Sequence, residues 1–315
     1  MLKSGAGEVR DKRVVSPIGD DTAMIRISDK TVALTTTDFF TPIIDDPYIQ
    51  GQIAACNTTN DIYAKGGLDI ISVLVLMAVP EDMPPDITSE LLKGFSDFCR
   101  SINAPVVGGQ TIYCPWPILG GAITALADVD RVVPISGAKP GDVLVLTKPL
   151  GIQPIMEVLR LPDEGQDKMA ELIPEEEISR SIDFAVKLMT TTNRTAAEAM
   201  LKVGVNAATD VTGFGILGHA TNMAQLSQVS IEIRTLPVIK WTPRIAEVLR
   251  IPLLEGEGVE TSGGLLISVS LRKVDQLLKE LRNQGVGAFE IGAVKEGGRE
   301  AHVQKGVKVV EVSNL

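Results

Sequence analysis

Four closely spaced aspartates are the side chains in this sequence best suited to chemistry. They are Asp38, Asp45, Asp46 and Asp61, and the first basic residue after them is Lys65. If such carboxylates converge, their repulsion raises pKa values and destabilises the fold unless a cation neutralises them. A hard divalent metal ion is the simplest cation for oxygen ligands. We therefore expect a metal ion, rather than basic side chains, to balance this charge.

A predicted helix positions two of the candidate ligands. The helix should run from Pro47 to about Ala64, because Asp46 before a proline is typical of an N-cap and the glycines at 66 and 67 are typical of an end. Asn57 and Asp61 are four residues apart, so they share one face of this helix. The alternative is that Asp45 and Asp46 only cap the helix and Asp61 is a surface charge.

Two glycine-containing segments are further candidates for ligand contact. Gly19, Asp20 and Asp21 form a predicted turn before an alternating strand, which places two more carboxylates at a strand entrance. Residues 108 to 111, GGQT, follow a short predicted strand, and two glycines let a backbone approach a ligand closely. The alternative for GGQT is a tight turn between strands.

Asp210 precedes a glycine pattern that has two interpretations. Residues 213 to 218 fit GxGxxG, and Glu232 lies at about the distance expected of a dinucleotide-binding acidic residue. We reject that interpretation, because the preceding segment is a weak first strand and Asp210 would repel a pyrophosphate unless a metal ion lay between them. We interpret Asp210 as a metal ligand and His219 as a satisfied helix residue.

Composition limits the class of protein. The 315 residues are 44% hydrophobic and 22% charged, without a long apolar span or a signal-like start, so we expect a cytoplasmic protein with no membrane partner. The net charge of -10 argues against a nonspecific nucleic-acid partner. Three cysteines without CxxC spacing and two histidines disfavour a disulfide framework, a zinc site and a histidine triad.

The length predicts two domains. A glycine- and proline-rich segment before the apolar run VLVLT marks a boundary near Pro140, which gives domains of residues 1–139 and 140–315. The first 15 residues are polar and basic and indicate a flexible start. Helical patterns follow at about 174 to 204, and strands and helices alternate to the end of the chain.

Taken together, the motifs resemble selenophosphate synthetase (selenide, water dikinase) over nearly the whole chain. Eight motifs in order carry the resemblance: GDD, TTDFFTPIIDDPY, NTTNDIYAKGG, GGQT followed by PWPILGG, PGDVLVLTKPLG, NRTAA, ATDVTGFGILGHA and ETSGGLL. The resemblance implies an α+β fold of two domains like that of aminoimidazole ribonucleotide synthetase, with an N-terminal domain that forms a homodimer and a C-terminal α/β domain.

The resemblance also implies the chemistry. ATP and selenide would be substrates, Mg²⁺ the cofactor, and selenophosphate, AMP and phosphate the products. Matching positions place magnesium ligands at Asp21, Asp61 and Asp210, with Asn57 similarly placed. They place contacts with the nucleotide and its metal at Gly19, Asp20, Asp21, Asp38, Asp61, Gly108, Gly109, Gln110 and Thr111.

One feature of the family is missing from the matching positions. The family carries, upstream of GDD, a glycine-rich segment with selenocysteine, cysteine or a substitute, and a nearby lysine. Here the 18 residues before Gly19 contain no cysteine, and Lys3 and Lys12 do not sit in such a motif, so no catalytic residue is assigned. We expect a chain that begins late and binds ATP and Mg²⁺ with little selenide-dependent turnover. The alternatives are a noncatalytic regulatory paralogue, or another ATP-using enzyme of the superfamily.

Overall fold

A computed structural model of the chain describes residues 11–315, which form two compact units. The first contains the residues up to Ile135 together with Thr192–Lys202, and the second contains Ser136–Thr191 and Val203–Leu315. The expected flexible start falls largely on residues 1–10, outside the described part. It is wrong for Val14, which pairs with Ile25 in a β-bridge.

The first unit is a five-stranded sheet with helices. Its strands are β1 (Ala23–Arg26), β2 (Thr31–Phe40), β3 (Asp69–Val79), β4 (Val106–Tyr113) and β5 (Ile118–Asp128). Their order across the sheet is β1-β2-β5-β3-β4, with β3 and β4 parallel and the other neighbours antiparallel. Its helices are α1 (Pro47–Ala64), α2 (Pro85–Ser101) and, through Lys202, α6 (Arg194–Val203).

Helix α1 begins and ends as its sequence predicts. The Asp46 carboxylate accepts a hydrogen bond of 2.9 Å from the backbone of Ile49, and Pro47 opens the first turn. At the other end Gly66, with φ of +76°, lets the backbone N–H of Gly67 bond to the carbonyl of Ile62. Local signals alone therefore fix the bounds of the helix that carries Asp61.

Helices α1 and α2 pack closely because each has a glycine at the crossing. A Cβ atom at Gly51 would lie 2.2 Å from the carbonyl oxygen of Leu91, and one at Gly94 would lie 1.9 Å from that of Tyr48. Thr58 of α1 and Phe95 of α2 both lie against Gly121 of β5. The two helices therefore cover one face of the sheet.

The second unit is a six-stranded mixed sheet. Its strands are β6 (Asp142–Leu146), β7 (Ala207–Asp210), β8 (Ser230–Ile239), β9 (Leu265–Ser270), β10 (Phe289–Lys295) and β11 (Ala301–Val312), in the order β11-β8-β10-β6-β9-β7. Its helices are α3 (Ile152–Val158), α4 (Asp163–Leu172), α5 (Glu175–Met189), α7 (Gly215–Ser227), α8 (Thr242–Leu249) and α9 (Val274–Asn283). Among these six described strands, only β11 and β8 pair in parallel.

The α+β class expected from the sequence is confirmed, with two local corrections. GGQT is not a tight turn, because residues 108 to 111 lie inside β4. The segment before the GxGxxG pattern does form a short buried strand, β7, although its sequence is only weakly apolar. Among the described residues no helix is both long and apolar enough to span a membrane. The cytoplasmic location stays a prediction.

Candidate metal and nucleotide site

Asp21 and Asp61 meet in the first unit, although 40 positions separate them in the sequence. Asp21 lies in the turn before β1, and Asp61 lies on the last turn of α1. One carboxylate oxygen of each lies within 4.8 Å of the other. Thr36 of β2 donates its hydroxyl hydrogen to Asp61 Oδ2 over 2.5 Å. Two aspartates that the resemblance assigns to magnesium therefore lie close together, and their role as ligands stays a prediction.

Lys65 corrects the expectation that no basic side chain balances this charge. Its ammonium nitrogen lies 2.6 Å from Asp20 Oδ1 and 2.9 Å from Asp21 Oδ2. The Lys65 side chain has no exposed surface. Burial acts to lower the pKa of Lys65, but the charges of Asp21 and Asp20 outweigh it and raise this pKa. Lys65 is thus a permanent cation inside the cluster that it forms with Asp20, Asp21 and Asp61.

One lysine does not neutralise the whole cluster. Burial, and then repulsion by Asp21, raise the pKa of Asp61 to about 8, against the lowering effects of Thr36 and Lys65. A raised pKa disfavours the ionised carboxylate, and a divalent cation beside it would favour that form. The site therefore still favours a metal ion.

Asp38 lies on the same face of the sheet as α1. Asn57 donates an amide hydrogen bond to Asp38 Oδ2, and burial raises the pKa of this half-buried carboxyl group. Asn57 is 5% exposed. Asn57 and Asp38 therefore form a hydrogen-bonded polar pair between α1 and β2. Whether Asn57 also ligates a metal stays a prediction.

Gly108 to Thr111 lie along the edge strand β4, where every residue is exposed. Asp38, Gly121, Val75 and Gly109 are successive cross-strand partners in one row of the sheet. At about 4.8 Å per strand, Gly109 is about 14 Å from Asp38 along this row. A Cβ atom at Gly109 would lie 2.1 Å from the carbonyl oxygen of Val75, so pairing with β3 requires glycine.

The turn before β1 positions Asp20 and Asp21 in the cluster. Gly19 has a φ of +100°, and the backbone N–H of Asp21 donates to Asp20 Oδ1 over 2.9 Å. Asp20 Oδ2 is buried and has no hydrogen-bond partner within residues 11–315. Asp20 and Asp21 thus differ in their surroundings. The side chain of Asp20 is buried against Lys65, whereas Asp21 contacts Lys65 and also faces Asp61.

Asp210 belongs to the second unit, where it ends β7. It is 2% exposed and pairs with Leu265 of β9. The glycines that follow serve the packing of this unit: a Cβ atom at Gly215, whose φ is +64°, would lie 2.6 Å from the carbonyl oxygen of Gly256. The role of Asp210 as a metal ligand stays a prediction.

His219 is a helix residue whose ring has a hydrogen-bond partner, as expected. Its Nε2 accepts a hydrogen bond of 3.0 Å from the backbone N–H of Thr212. Burial lowers the pKa of His219 from 6.5 to about 4, so the ring is neutral at neutral pH. The histidine therefore holds the segment after Asp210 rather than transferring protons.

Sequence reasoning missed two residues that contact these aspartates, Lys65 and Thr36. Lys65 lies four positions after Asp61, the spacing of neighbours on one helix face. Thr36 lies two positions before Asp38, on the same face of a strand. Both spacings were visible, but the convergence with Asp20 and Asp21 depends on tertiary structure.

The donor set suits a magnesium ion. Asp21 and Asp61 offer carboxylate oxygens close enough to share one ion, and Mg²⁺ is usually held by one or two carboxylates with the remaining positions left to water and phosphate. No sulfur ligand and no histidine competes within this cluster as described.

Comparisons with known proteins agree on the fold. The model of the AIR synthase related protein N-terminal domain matches residues 19–127, and that of the C-terminal domain matches residues 139–305. The structure of the hydrogenase maturation protein HypE in complex with ATP has a TM-score of 0.66 and 18% identity, covering 88% of this chain and 81% of that one. At this identity the likeness shows the fold alone.

Closer relatives share one name. The selenide, water dikinase of Methanocaldococcus jannaschii is 48% identical over 97% of this chain and 89% of its own. That of Methanococcus maripaludis is 43% identical over 94% of this chain and 90% of its own.

Proposed function

Because the chain belongs to the selenide, water dikinase family, we propose that its reaction is the phosphorylation of selenide by ATP. The products are selenophosphate, AMP and phosphate. The observation that carries the proposal is the pairing of Asp21 with Asp61, two proposed metal ligands that come from separate elements of the first unit. The sequence contains no P-loop motif, so in this proposal the carboxylates bind the triphosphate through a metal ion.

Asp21 and Asp61 hold Mg²⁺ in this proposal. When bound, the ion neutralises the triphosphate and the charge that develops at phosphorus. Thr36 fixes one oxygen of Asp61, and Lys65 fixes one oxygen of Asp21. Since each carboxylate is anchored on one side, both are oriented before ATP arrives.

Asp210 is proposed as a third carboxylate ligand from the second unit. The support is its match to the family motif ATDVTGFG, its burial at the end of β7 and the charge argument that an aspartate before a glycine-rich turn repels phosphate unless a metal ion intervenes. Asn57 is proposed with less direct support, since its amide contacts Asp38.

ATP is proposed to contact the two glycine-containing segments. Gly19 and Asp20 adjoin the metal ligands directly. Residues 108 to 111 lie on an exposed edge strand whose backbone is open on one side, and Gln110 and Thr111 add neutral hydrogen-bonding groups.

A homodimer is proposed through the face of the first sheet that α1 and α2 leave uncovered. Phe39 and Ile112 are 53% and 54% exposed on this face, and Leu76 and Ile118 lie beside them around a cavity of about 220 Å³. Exposed apolar groups in one contiguous patch are typical of an interface. The open edge of β4 adjoins this patch, and an unpaired edge of this kind readily pairs with another strand.

The test is an assay of the purified chain with ATP, Mg²⁺ and selenide, followed by ³¹P NMR. We expect AMP and selenophosphate to form only when selenide is present. For these 315 residues assayed alone, little turnover stays a prediction. A normal rate would overturn that prediction and leave the proposed reaction intact.

The same assay separates the rival functions. Phosphate transfer from ATP to thiamine monophosphate would identify another enzyme of the superfamily. An absence of both ATP binding and turnover would favour a noncatalytic partner. Selenide-dependent AMP formation contradicts both rivals.

A further inference from the structure

Lys65 is a buried charge that the proposed reaction does not by itself explain. The residue follows the last turn of α1, and its side chain has no exposed surface. Its two carboxylate partners are nearly as buried, with side-chain exposures of 0% for Asp20 and 8% for Asp21. Burying three charges is costly, and replacing such a group with apolar side chains is often neutral or stabilising. Stability is therefore a weak reason for Lys65 to be charged.

The position of Lys65 relative to the metal ligands suggests a different reason. Asp21 is shared between Lys65 and the pair that it forms with Asp61. A cation bound at that pair would lie near the lysine ammonium, and two positive charges at such a distance repel each other appreciably even at an effective dielectric constant of 20. Lys65 thus lowers the attraction of the carboxylates for a divalent ion.

A lysine also suits the inner part of the cluster better than a metal ion does. Mg²⁺ demands near-octahedral coordination and usually keeps several waters, whereas an ammonium group needs only acceptors for its three hydrogens. The Asp20 side chain has no exposed surface, so waters cannot reach it from the outside. A tethered ammonium group balances Asp20 without a hydration shell.

We propose that Lys65 is a positioning residue and a fixed cation: it balances Asp20, holds Asp21 beside Asp61, and keeps the carboxylates from binding a divalent ion tightly before ATP arrives. The inference rests on the proposed function and deepens it. Its consequence is that Mg²⁺ enters the site mainly together with the triphosphate, whose negative charge offsets the lysine.

The experiment measures Mn²⁺ binding by the full chain without nucleotide, by electron paramagnetic resonance. In Lys65→Met, which keeps the side-chain length and removes the charge, we expect Mn²⁺ affinity to rise about tenfold, in line with the loss of one nearby positive charge. Addition of an ATP analogue should then increase Mn²⁺ affinity less than in the wild type. A lysine with a merely structural role gives the opposite direction, since a loosened site binds Mn²⁺ more weakly. Unchanged or weaker Mn²⁺ binding by a folded Lys65→Met protein overturns the inference.

Lys148→Met is the matched control. Lys148 is also a buried lysine, but its ammonium group donates to the backbone carbonyls of Leu188, Thr191 and Ser262, at 2.9, 2.7 and 2.8 Å. Its loss removes a buried charge other than the one that contacts Asp20 and Asp21. We expect lower stability and unchanged Mn²⁺ affinity. A rise equal to that of Lys65→Met would contradict the inference.

A second variant keeps the test decisive if Lys65→Met alone does not fold, because Asp20→Asn leaves Lys65 in place and the double variant removes one charge of each sign. In Asp20→Asn the lysine loses one of its two counter-charges, so its repulsion of a divalent ion increases and Mn²⁺ affinity should fall about tenfold. The double variant Lys65→Met with Asp20→Asn should return toward the wild-type value. An unchanged affinity in Asp20→Asn contradicts the inference. A wild-type chain that binds no Mn²⁺ with or without nucleotide would instead refute the proposed metal site, so the two failures are distinct.

Discussion

Asp61 is held on one side by a hydroxyl group and faces Asp21 on the other. Thr36 donates to Asp61 Oδ2, and an oxygen of Asp21 lies within 4.8 Å. Groups that hydrogen-bond a metal ligand set its orientation and strengthen its hold on the ion. In the proposed metal site, the hydroxyl of Thr36 therefore orients Asp61 and need not touch the metal ion.

Thr36→Val tests this contribution. The variant keeps the shape of the side chain and removes the hydrogen bond, so we expect Mn²⁺ affinity to fall roughly 10- to 100-fold. Thr36→Ser keeps the hydroxyl and should stay near the wild type. Isothermal titration of both variants with Mn²⁺ measures the difference. Equal affinities for Val and Ser would show that Thr36 does not orient Asp61.

His219 gives a prediction about stability and pH. Its pKa is about 4 in the folded protein against 6.5 ordinarily, so the unfolded chain binds more protons between these values. The stability contributed by the neutral ring is present above pH 6.5 and is lost as pH falls toward 4, by up to about 3 kcal/mol. In His219→Gln this loss should be absent. Urea unfolding at pH 7 and pH 4.5 measures it, and parallel losses in both proteins would contradict the assignment.

At the scale of elements, α1 links the sequence to the site most directly. Its N-cap, its first-turn proline and its glycine end are local signals, and its observed bounds are those predicted. Asp46 belongs to the cap and not to the metal site, as the alternative interpretation had it. The bounds of α1 thereby fix where Asp61 lies along the face of the sheet.

Asp46→Ala is predicted to destabilise the first unit by about 1 kcal/mol, the usual cost of losing an N-cap side chain. Asp45→Ala is the neighbouring control, because Asp45 is exposed and its removal leaves the hydrogen bond to Ile49 intact. Thermal unfolding of both variants provides the comparison. A larger loss in Asp45→Ala would contradict the cap assignment.

Other elements could not be predicted from the sequence because tertiary context decides them. GGQT carries turn-like glycines, yet it pairs with β3 as an edge strand, and only the packed sheet shows why Gly109 must lack a side chain. The balance of charge was misjudged for the same reason. Lys65 is near Asp61 in sequence, but its partners Asp20 and Asp21 come from a turn more than 40 residues earlier. Local pattern predicted α1 and the helices at about 174 to 204, but not α3 or α4, and the charge partners required the fold.

At the scale of the whole molecule, the uncovered face of the first sheet predicts self-association. Phe39→Glu places a charge in the middle of the apolar patch and should convert a dimer to monomers. Ile27→Glu is the control, because Ile27 is 63% exposed in the turn after β1 and outside the patch. Size-exclusion chromatography with light scattering measures both masses. A monomeric wild type, or a dimeric Phe39→Glu, would contradict the proposed interface.

The central claim is that paired aspartates bind ATP through a magnesium ion. Calorimetric titration of the full chain with ATP, in Mg²⁺ and in EDTA, tests it most directly, with Asp61→Asn as the site variant and the exposed Asp29→Asn as its control. We predict saturable ATP binding by the wild type and Asp29→Asn in Mg²⁺, and at least about tenfold weaker binding in EDTA or by Asp61→Asn. ATP binding that is equally tight in EDTA, or unaffected by Asp61→Asn, would contradict the account.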